Sequence, residues 1–252
     1  MLTAGFIILL SFITVNNAYH IYPISEKGLT IELGNHISLE NHYSVLSLQQ
    51  FLQQLFIPGF IELVPAYCSI TVYYDPLLVI TKIPESIKGI SEWMKNYLLA
   101  ELNNWQPQQH ISVVKNIIEI PVCYDDEYGL DLHEMAQYHQ TSKEEIIHTH
   151  TSNLYHVFMM GFSPGFPYMG ILPDSIATPR KNQPRLKVPA GSVGIAGNQT
   201  GIYPSESPGG WNIIGRTPLK LFDKEKATPF LLNTGDKVKF IPISKEQFEQ
   251  LV

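Results

Sequence analysis

Between Gly161 and Thr217 the chain concentrates residue types that build ligand sites. Ten of its 17 glycines and eight of its 18 prolines fall there. Glycine lets a backbone approach a ligand or take positive φ, and proline holds a loop rigid. Together they point either to pre-shaped loops around a site or to the corners of a β-barrel. From Tyr155 to Thr217 there are five positive charges (Arg180, Lys181, Arg185, Lys187, Arg216) against two negative ones (Asp174, Glu206) in a chain of net charge −6. A glycine-rich positive island in an acidic protein suits a small anion such as a carboxylate or phosphate. Arg185 and Arg216 adjoin Pro and Gly turns and are the expected anion-holding catalytic residues. Lys181 and Lys187 read as a solvated basic face.

Hydroxyl and amide groups crowd the same stretch at Gln199, Thr200, Tyr203, Ser205 and Ser207, where they can orient a polar ligand. Phe162, Phe166, Tyr168 and Trp211 can form an apolar wall or, equally, belong to the core, and core is the preferred reading for Phe162. His148, His150 and His156 lie near its edge without a Cys or Asp partner, so no metal is expected. Each reads first as a structural histidine, and His150 is the best acid/base candidate. No Walker A loop or GxSxG elbow occurs. The spaced glycines of Gly191–Gly197 lack the dinucleotide fingerprint.

The elements that must position these residues fall into two textures. His20–Ile24 and Gly28–Leu33 read as paired strands. Val45, Leu48, Phe51, Leu52 and Leu55 give residues 41–56 helical spacing, ended by Pro58-Gly59. Ile61–Val64 and Ser69–Tyr74 are β-rich. Ile90, Trp93, Met94, Tyr97 and Leu98 make one apolar stripe on a second helix. Strand-like runs follow at Ile111–Val114 and Ile117–Tyr124. The order predicts one sheet under two helices over residues 19–115. Asp131–Gln140 reads as a helix, and Ser142 with Glu145 as the capping box of another. After Tyr155 short β runs alternate with Gly and Pro, as in an irregular barrel or sandwich.

A length of 252 residues suits one large domain or two small ones, and 44% hydrophobic with 16% charged residues is a globular composition with fewer charges than average. The acidic balance argues against a nucleic-acid binder. Cys68 and Cys123 have no metal-ligand spacing and read as reduced, buried thiols. Ala4–Val15 is apolar but too short for a membrane span, and no Lys or Arg precedes Lys27. Residues 1–18 therefore read as a start-site artefact, with a weak export signal as the alternative.

Five ordered motifs carry a resemblance. They are Gly161-Phe162-Ser163-Pro164-Gly165-Phe166-Pro167-Tyr168, Pro184-Arg185 with Val188–Val193, Ala196–Pro204, Ser207-Pro208-Gly209-Gly210-Trp211 and Ile214-Gly215-Arg216-Thr217. With Val64-Pro65-Ala66-Tyr67, Tyr74-Asp75-Pro76 and Tyr22-Pro23, the chain resembles the PxpB family, the B-subunits of 5-oxoprolinase also called KipI, over about residues 19–245. The same proteins are described as carboxyltransferase subdomain C/D or as allophanate hydrolase subunit 1-like. The resemblance implies an α+β chain, with a ferredoxin-like α/β sandwich at 19–115 and a cyclophilin-like β-barrel lobe at 116–252. It implies a cytoplasmic component, inactive alone, of a complex with PxpC (KipA)-like and PxpA-like partners. That complex opens 5-oxoproline to glutamate with ATP and Mg, and no biotin is attached to this chain. Within the motifs, Gly165, Phe166, Ser192, Gln199, Thr200, Tyr203, Pro208, Gly209, Gly210 and Trp211 are the expected substrate-binding residues. Two alternatives are an inhibitor of a histidine kinase and a urea carboxylase-type carboxyltransferase component.

Overall fold

The computed structural model describes residues 19–83, 89–106 and 117–252. Strands β1 (His20–Ser25) and β2 (Gly28–Glu32) form a hairpin around Glu26-Lys27, and helix α1 (Leu39–Gln53) follows. Ser38 caps α1 by accepting a hydrogen bond from the Asn41 N–H, which starts the helix two residues before its apolar stripe requires. A second hairpin, β3 (Phe60–Pro65) and β4 (Ser69–Tyr74), completes a four-stranded antiparallel sheet of order β1-β2-β4-β3. Because β4 inserts between β2 and β3, the unit β2-α1-β3 is a split β-α-β. Asp75 caps the short α2 (Pro76–Ile80), with Pro76 in its first turn.

Helix α3 (Ile90–Leu102) packs against β1 and β2. Its predicted stripe is core: Met94 and Leu98 are fully buried beside Val45, Leu48, Ile70 and Val72, with Ile90, Trp93 and Tyr97 packed against them. The strand expected at Ile111–Val114 and the reading of residues 1–18 lie outside the described residues.

The second core is separate. Strands β5 (Ile117–Cys123), β6 (Leu154–Met160), β7 (Pro167–Gly170), β9 (Ser192–Ala196), β10 (Gln199–Ile202), β12 (Asn212–Arg216) and β13 (Lys237–Ile243) close a barrel of order β10-β7-β6-β13-β5-β12-β9. The barrel is mixed, since β13 runs parallel to β5 while its other pairings are antiparallel. Ile120, Val122, Val157, Val193, Ile195, Val238 and Phe240 fill it. Outside it, β8 (Arg185–Val188) and β11 (Ser207–Gly209) form a two-stranded ribbon. Helices α4 (Leu132–Tyr138) and α5 (Lys143–Ser152) lie between β5 and β6, and α6 (Lys245–Glu249) ends the chain. Ser142 caps α5 at the Glu145 N–H, and Ser244 with Gln247 makes a full capping box on α6. Helix α4 starts one residue later than its sequence pattern, with Asp131 at its N-cap making no capping bond and its carboxylate accepting from the Ile213 N–H instead.

His42 of α1 meets His156 of β6 at 2.7 Å, both buried, so the sandwich and the barrel touch through side chains. Among the described residues no helix is long and apolar enough to cross a membrane.

Candidate functional site

A third cluster of buried side chains sits where the ribbon meets the barrel, and it surrounds an open cleft of about 330 Å³. Phe166, Tyr203 and Trp211 are almost fully buried and meet edge to face, with Phe166 5.3 Å from Tyr203 and 5.4 Å from Trp211. Tyr168 packs against Phe166 and Trp211. Pro208, Gly209 and Gly210 supply a wall of backbone. Gly209 is required there: a Cβ on it would stand 2.3 Å from the Tyr203 hydroxyl. Burial raises the Tyr203 hydroxyl pKa, against a backbone hydrogen bond from Trp211, so it stays protonated at neutral pH.

The cation of the cleft is Arg180, whose guanidinium lies 5.9 Å above the Trp211 ring. Among the described residues it forms no ion pair. Tyr67, in the turn between β3 and β4, reaches across from the sandwich to Tyr168 at 6.2 Å and Phe158 at 5.8 Å. It shares a hydrogen bond with Gln199, and burial lifts its pKa to about 12. Sequence reasoning passes over both residues as site members. Arg180 is visible as one of five local cations, and Tyr67 lies within a quoted motif, but nothing local marks either one.

Six of the expected binding residues therefore share one cleft: Phe166, Tyr203, Pro208, Gly209, Gly210 and Trp211. Gln199 reaches its edge through Tyr67. Phe162 is 63% exposed at the rim rather than core, in a β6–β7 loop where Phe162 and Gly165 both take positive φ. Gly165 itself faces Phe222, which a Cβ would meet at 2.8 Å, so its requirement is steric. Ser192 is buried in β9, its backbone bonded to Pro189 and Tyr203.

The three expected catalytic residues lie elsewhere. Arg185 forms a two-pronged bond with Asp131, 2.7 Å on each arm, so its fork is taken by the protein's own carboxylate. Arg216 donates from Nε to the Ala190 carbonyl at 2.8 Å and lines a different cleft with Pro204, Leu219, Lys220 and Phe248. His150 is fully buried between Tyr124 at 2.9 Å and Thr200 at 3.0 Å, and stacks on Phe240. Burial depresses its pKa to about 3. A proton shuttle needs solvent or substrate access and a pKa near working pH, and His150 has neither. Thr200 belongs to the same buried network, donating its hydroxyl proton to the Gly194 carbonyl. Lys181 is not a solvated face: it binds Asp131 at 2.8 Å and Glu134 at 2.6 Å. Lys187 is exposed and pairs with Glu206. Both cysteines are free, Cys123 buried and Cys68 half-buried. Among the described residues no three His, Cys, Asp or Glu groups gather to hold a metal ion.

A split β-α-β sandwich joined to a mixed seven-stranded barrel, with an aromatic cleft on the barrel, defines a class with known relatives. The carboxyltransferase domain, subdomain C and D, matches residues 19–232. The 5-oxoprolinase B-subunit of Bacillus subtilis is 42% identical over 91% of this chain and 95% of its own length. That of Haemophilus influenzae is 40% identical over 88% and 97%. The chain belongs to the 5-oxoprolinase B-subunit family within the carboxyltransferase subdomain C and D proteins. The urea carboxylase of Kluyveromyces lactis superposes with a TM-score of 0.72 at 19% identity over 92% of this chain and 22% of that one, a likeness of fold.

Proposed function

We propose that this chain is the PxpB-type component of an ATP-dependent 5-oxoprolinase, opening the lactam of 5-oxo-L-proline to L-glutamate inside a complex with PxpA-like and PxpC-like subunits. The observation that carries the reading is near full-length similarity to proteins named as 5-oxoprolinase B-subunits. The cleft's chemistry supports it. 5-Oxoproline is a small ring bearing one carboxylate. Arg180 would hold that carboxylate with its two-pronged donors. Phe166, Tyr168 and Trp211 would cover the ring faces, and the protonated Tyr203 hydroxyl and the Gly209-Gly210 backbone would orient its polar edge.

ATP and Mg enter as partners of the assembled complex. This chain has no P-loop, and its described acidic groups are not gathered for a metal. The phosphoryl chemistry is therefore assigned to the complex, and this chain's share is to bind and orient. We also read the sandwich as ferredoxin-like, on its split β-α-β, the barrel lobe as cyclophilin-like, and the chain as cytoplasmic. The test is co-expression with the two partner subunits, co-purification, and assay of 5-oxoproline-dependent ATP hydrolysis. Turnover by the complex and none by the chain alone is expected. A complex that forms but shows no such turnover, or turnover by the single chain, refutes the reading.

A further inference from the structure

Asp131 is only 1% exposed, yet it carries a full charge at the start of α4. Its carboxylate accepts hydrogen bonds from three directions: both arms of Arg185 at 2.7 Å, Lys181 Nζ at 2.8 Å, and the Ile213 N–H at 2.6 Å. Burial alone would raise its pKa, but Arg185, Lys181 and the Ile213 N–H outweigh that and hold it below the usual carboxylate range. The three tethers come from the segment after Pro179, from the ribbon strand β8, and from β12. The first carries Arg180, which lines the cleft, and the other two adjoin lining residues: β8 pairs with the strand of Gly209, and β12 begins directly after Trp211. Lys181 follows Arg180 directly, and its N–H donates to the Gly210 carbonyl at 2.8 Å. Asn212 donates to the Pro179 carbonyl at 2.8 Å. Arg185 stands opposite Gly209 in the ribbon. Ile213 is two residues beyond Trp211.

We propose that Asp131 is the positioning residue of the cleft: one buried carboxylate locks the Arg180 segment, the Gly209 strand and the start of β12 beside Trp211 to each other and, with Glu134, offsets the charges of Lys181 and Arg185. Arg180 is thereby left as the cation available to an anionic ligand, poised over Trp211. The arrangement matches a ligand of single negative charge. Releasing Lys181 and Arg185 would place further unpaired positive charge beside the cleft and let the Arg180 segment drift. This rests on the 5-oxoprolinase reading only for the identity of the substrate.

The test uses Asp131→Asn in the full complex, and Lys181→Met as a milder change that cuts one tether while leaving the Asp131–Arg185 pair. Displacing Arg180 loses much of one charge-assisted contact to the substrate carboxylate, so Asp131→Asn is expected to raise the KM for 5-oxoproline about 10- to 100-fold with kcat changed far less. Lys181→Met is expected to give a smaller rise in KM. Because Asp131 acts through Arg180, adding Asp131→Asn to Arg180→Ala is expected to raise KM little further. Unchanged KM in Asp131→Asn, or fully additive effects in the double variant, overturns the proposal. A second readout needs no substrate. In chain labelled with 5-fluorotryptophan, the fluorine resonance of Trp211, assigned with Trp211→Phe, is expected to shift in Asp131→Asn and in Lys181→Met, while those of Trp93 and Trp105 in the sandwich hold. A Trp211 resonance that stays put in both variants overturns the proposal. If the wild-type complex does not turn over 5-oxoproline, the functional reading fails and the Trp211 resonance alone decides the role of Asp131.

Discussion

Replacing Gly209 by alanine tests the cleft with one methyl group. The added Cβ would sit 2.3 Å from the Tyr203 hydroxyl, 2.7 Å from Cζ and 2.8 Å from Cε1. Ordinary contact begins near 3.4 Å, so the hydroxyl end of Tyr203 must retreat by roughly 1.1 Å. It has little room, because Tyr203 is 2% exposed and wedged against Phe166 and Phe162. Nor can the Gly209 backbone easily yield, since it pairs with Arg185 in the ribbon and Arg185 is clamped to Asp131. Forcing a methyl into a packed site costs about 1–3 kcal/mol. At about 2–4 °C per kcal/mol for a chain of this size, the melting temperature falls by roughly 2–12 °C. The neighbouring Gly210 is the control: its Cβ would meet nothing closer than 3.6 Å, and its φ lies outside the range that demands glycine. Gly210→Ala is expected to stay within about 0.5 kcal/mol of wild type. Calorimetric melting of the two variants, with the KM for 5-oxoproline in the complex, makes the comparison. Equal melting of Gly209→Ala and wild type with unchanged KM, or an equal fall in melting temperature from Gly210→Ala, refutes the packing argument.

Arg180→Ala is expected to raise the KM for 5-oxoproline by about 10- to 150-fold, the loss of one charge-assisted contact, with Arg180→Lys recovering only part; steady-state kinetics with parallel melting curves check it. Tyr67→Phe removes the hydroxyl shared with Gln199 but keeps the ring, and is expected to cost about 0.5–1.5 kcal/mol in urea unfolding. His150 has a folded pKa of about 3 against an ordinary 6.5, so the unfolded chain binds the extra proton between those values. Its contribution to stability is complete above pH 6.5 and is lost as pH falls toward 3, by at most ~1.4 kcal/mol per pH unit. Urea unfolding of wild type and His150→Gln at pH 7 and pH 5 is expected to show a shallower loss in the variant, and parallel pH slopes would refute it.

The parts of the fold that rest on local pattern were legible in the sequence. The stripe from Ile90 to Leu98 has helical period and is core; Ser142 three residues before Glu145 marks a helix start and is one. Alternation of short β runs with Gly and Pro after Tyr155 marks an irregular barrel or sandwich, and strand pairing closes it as a barrel. The aromatic half of the cleft was legible too, since Phe166, Tyr203 and Trp211 lie in one glycine- and proline-rich stretch. Charge assignments were not. Which arginine is available to a ligand depends on which is already paired, and Arg185 is paired with a carboxylate 54 positions earlier. Sequence sees two arginines beside Pro; only the fold brings Asp131 to one of them and leaves Arg180 over an indole. The same logic buries His150 of α5 against the barrel, where Tyr124, Thr200 of β10 and Phe240 of β13, all distant in sequence, strip it of water. A site built from rings declares itself by composition, because rings must cluster to be buried. A site's charge balance is a sum over distant partners, so it becomes readable only when the chain has folded and each carboxylate has met its cation.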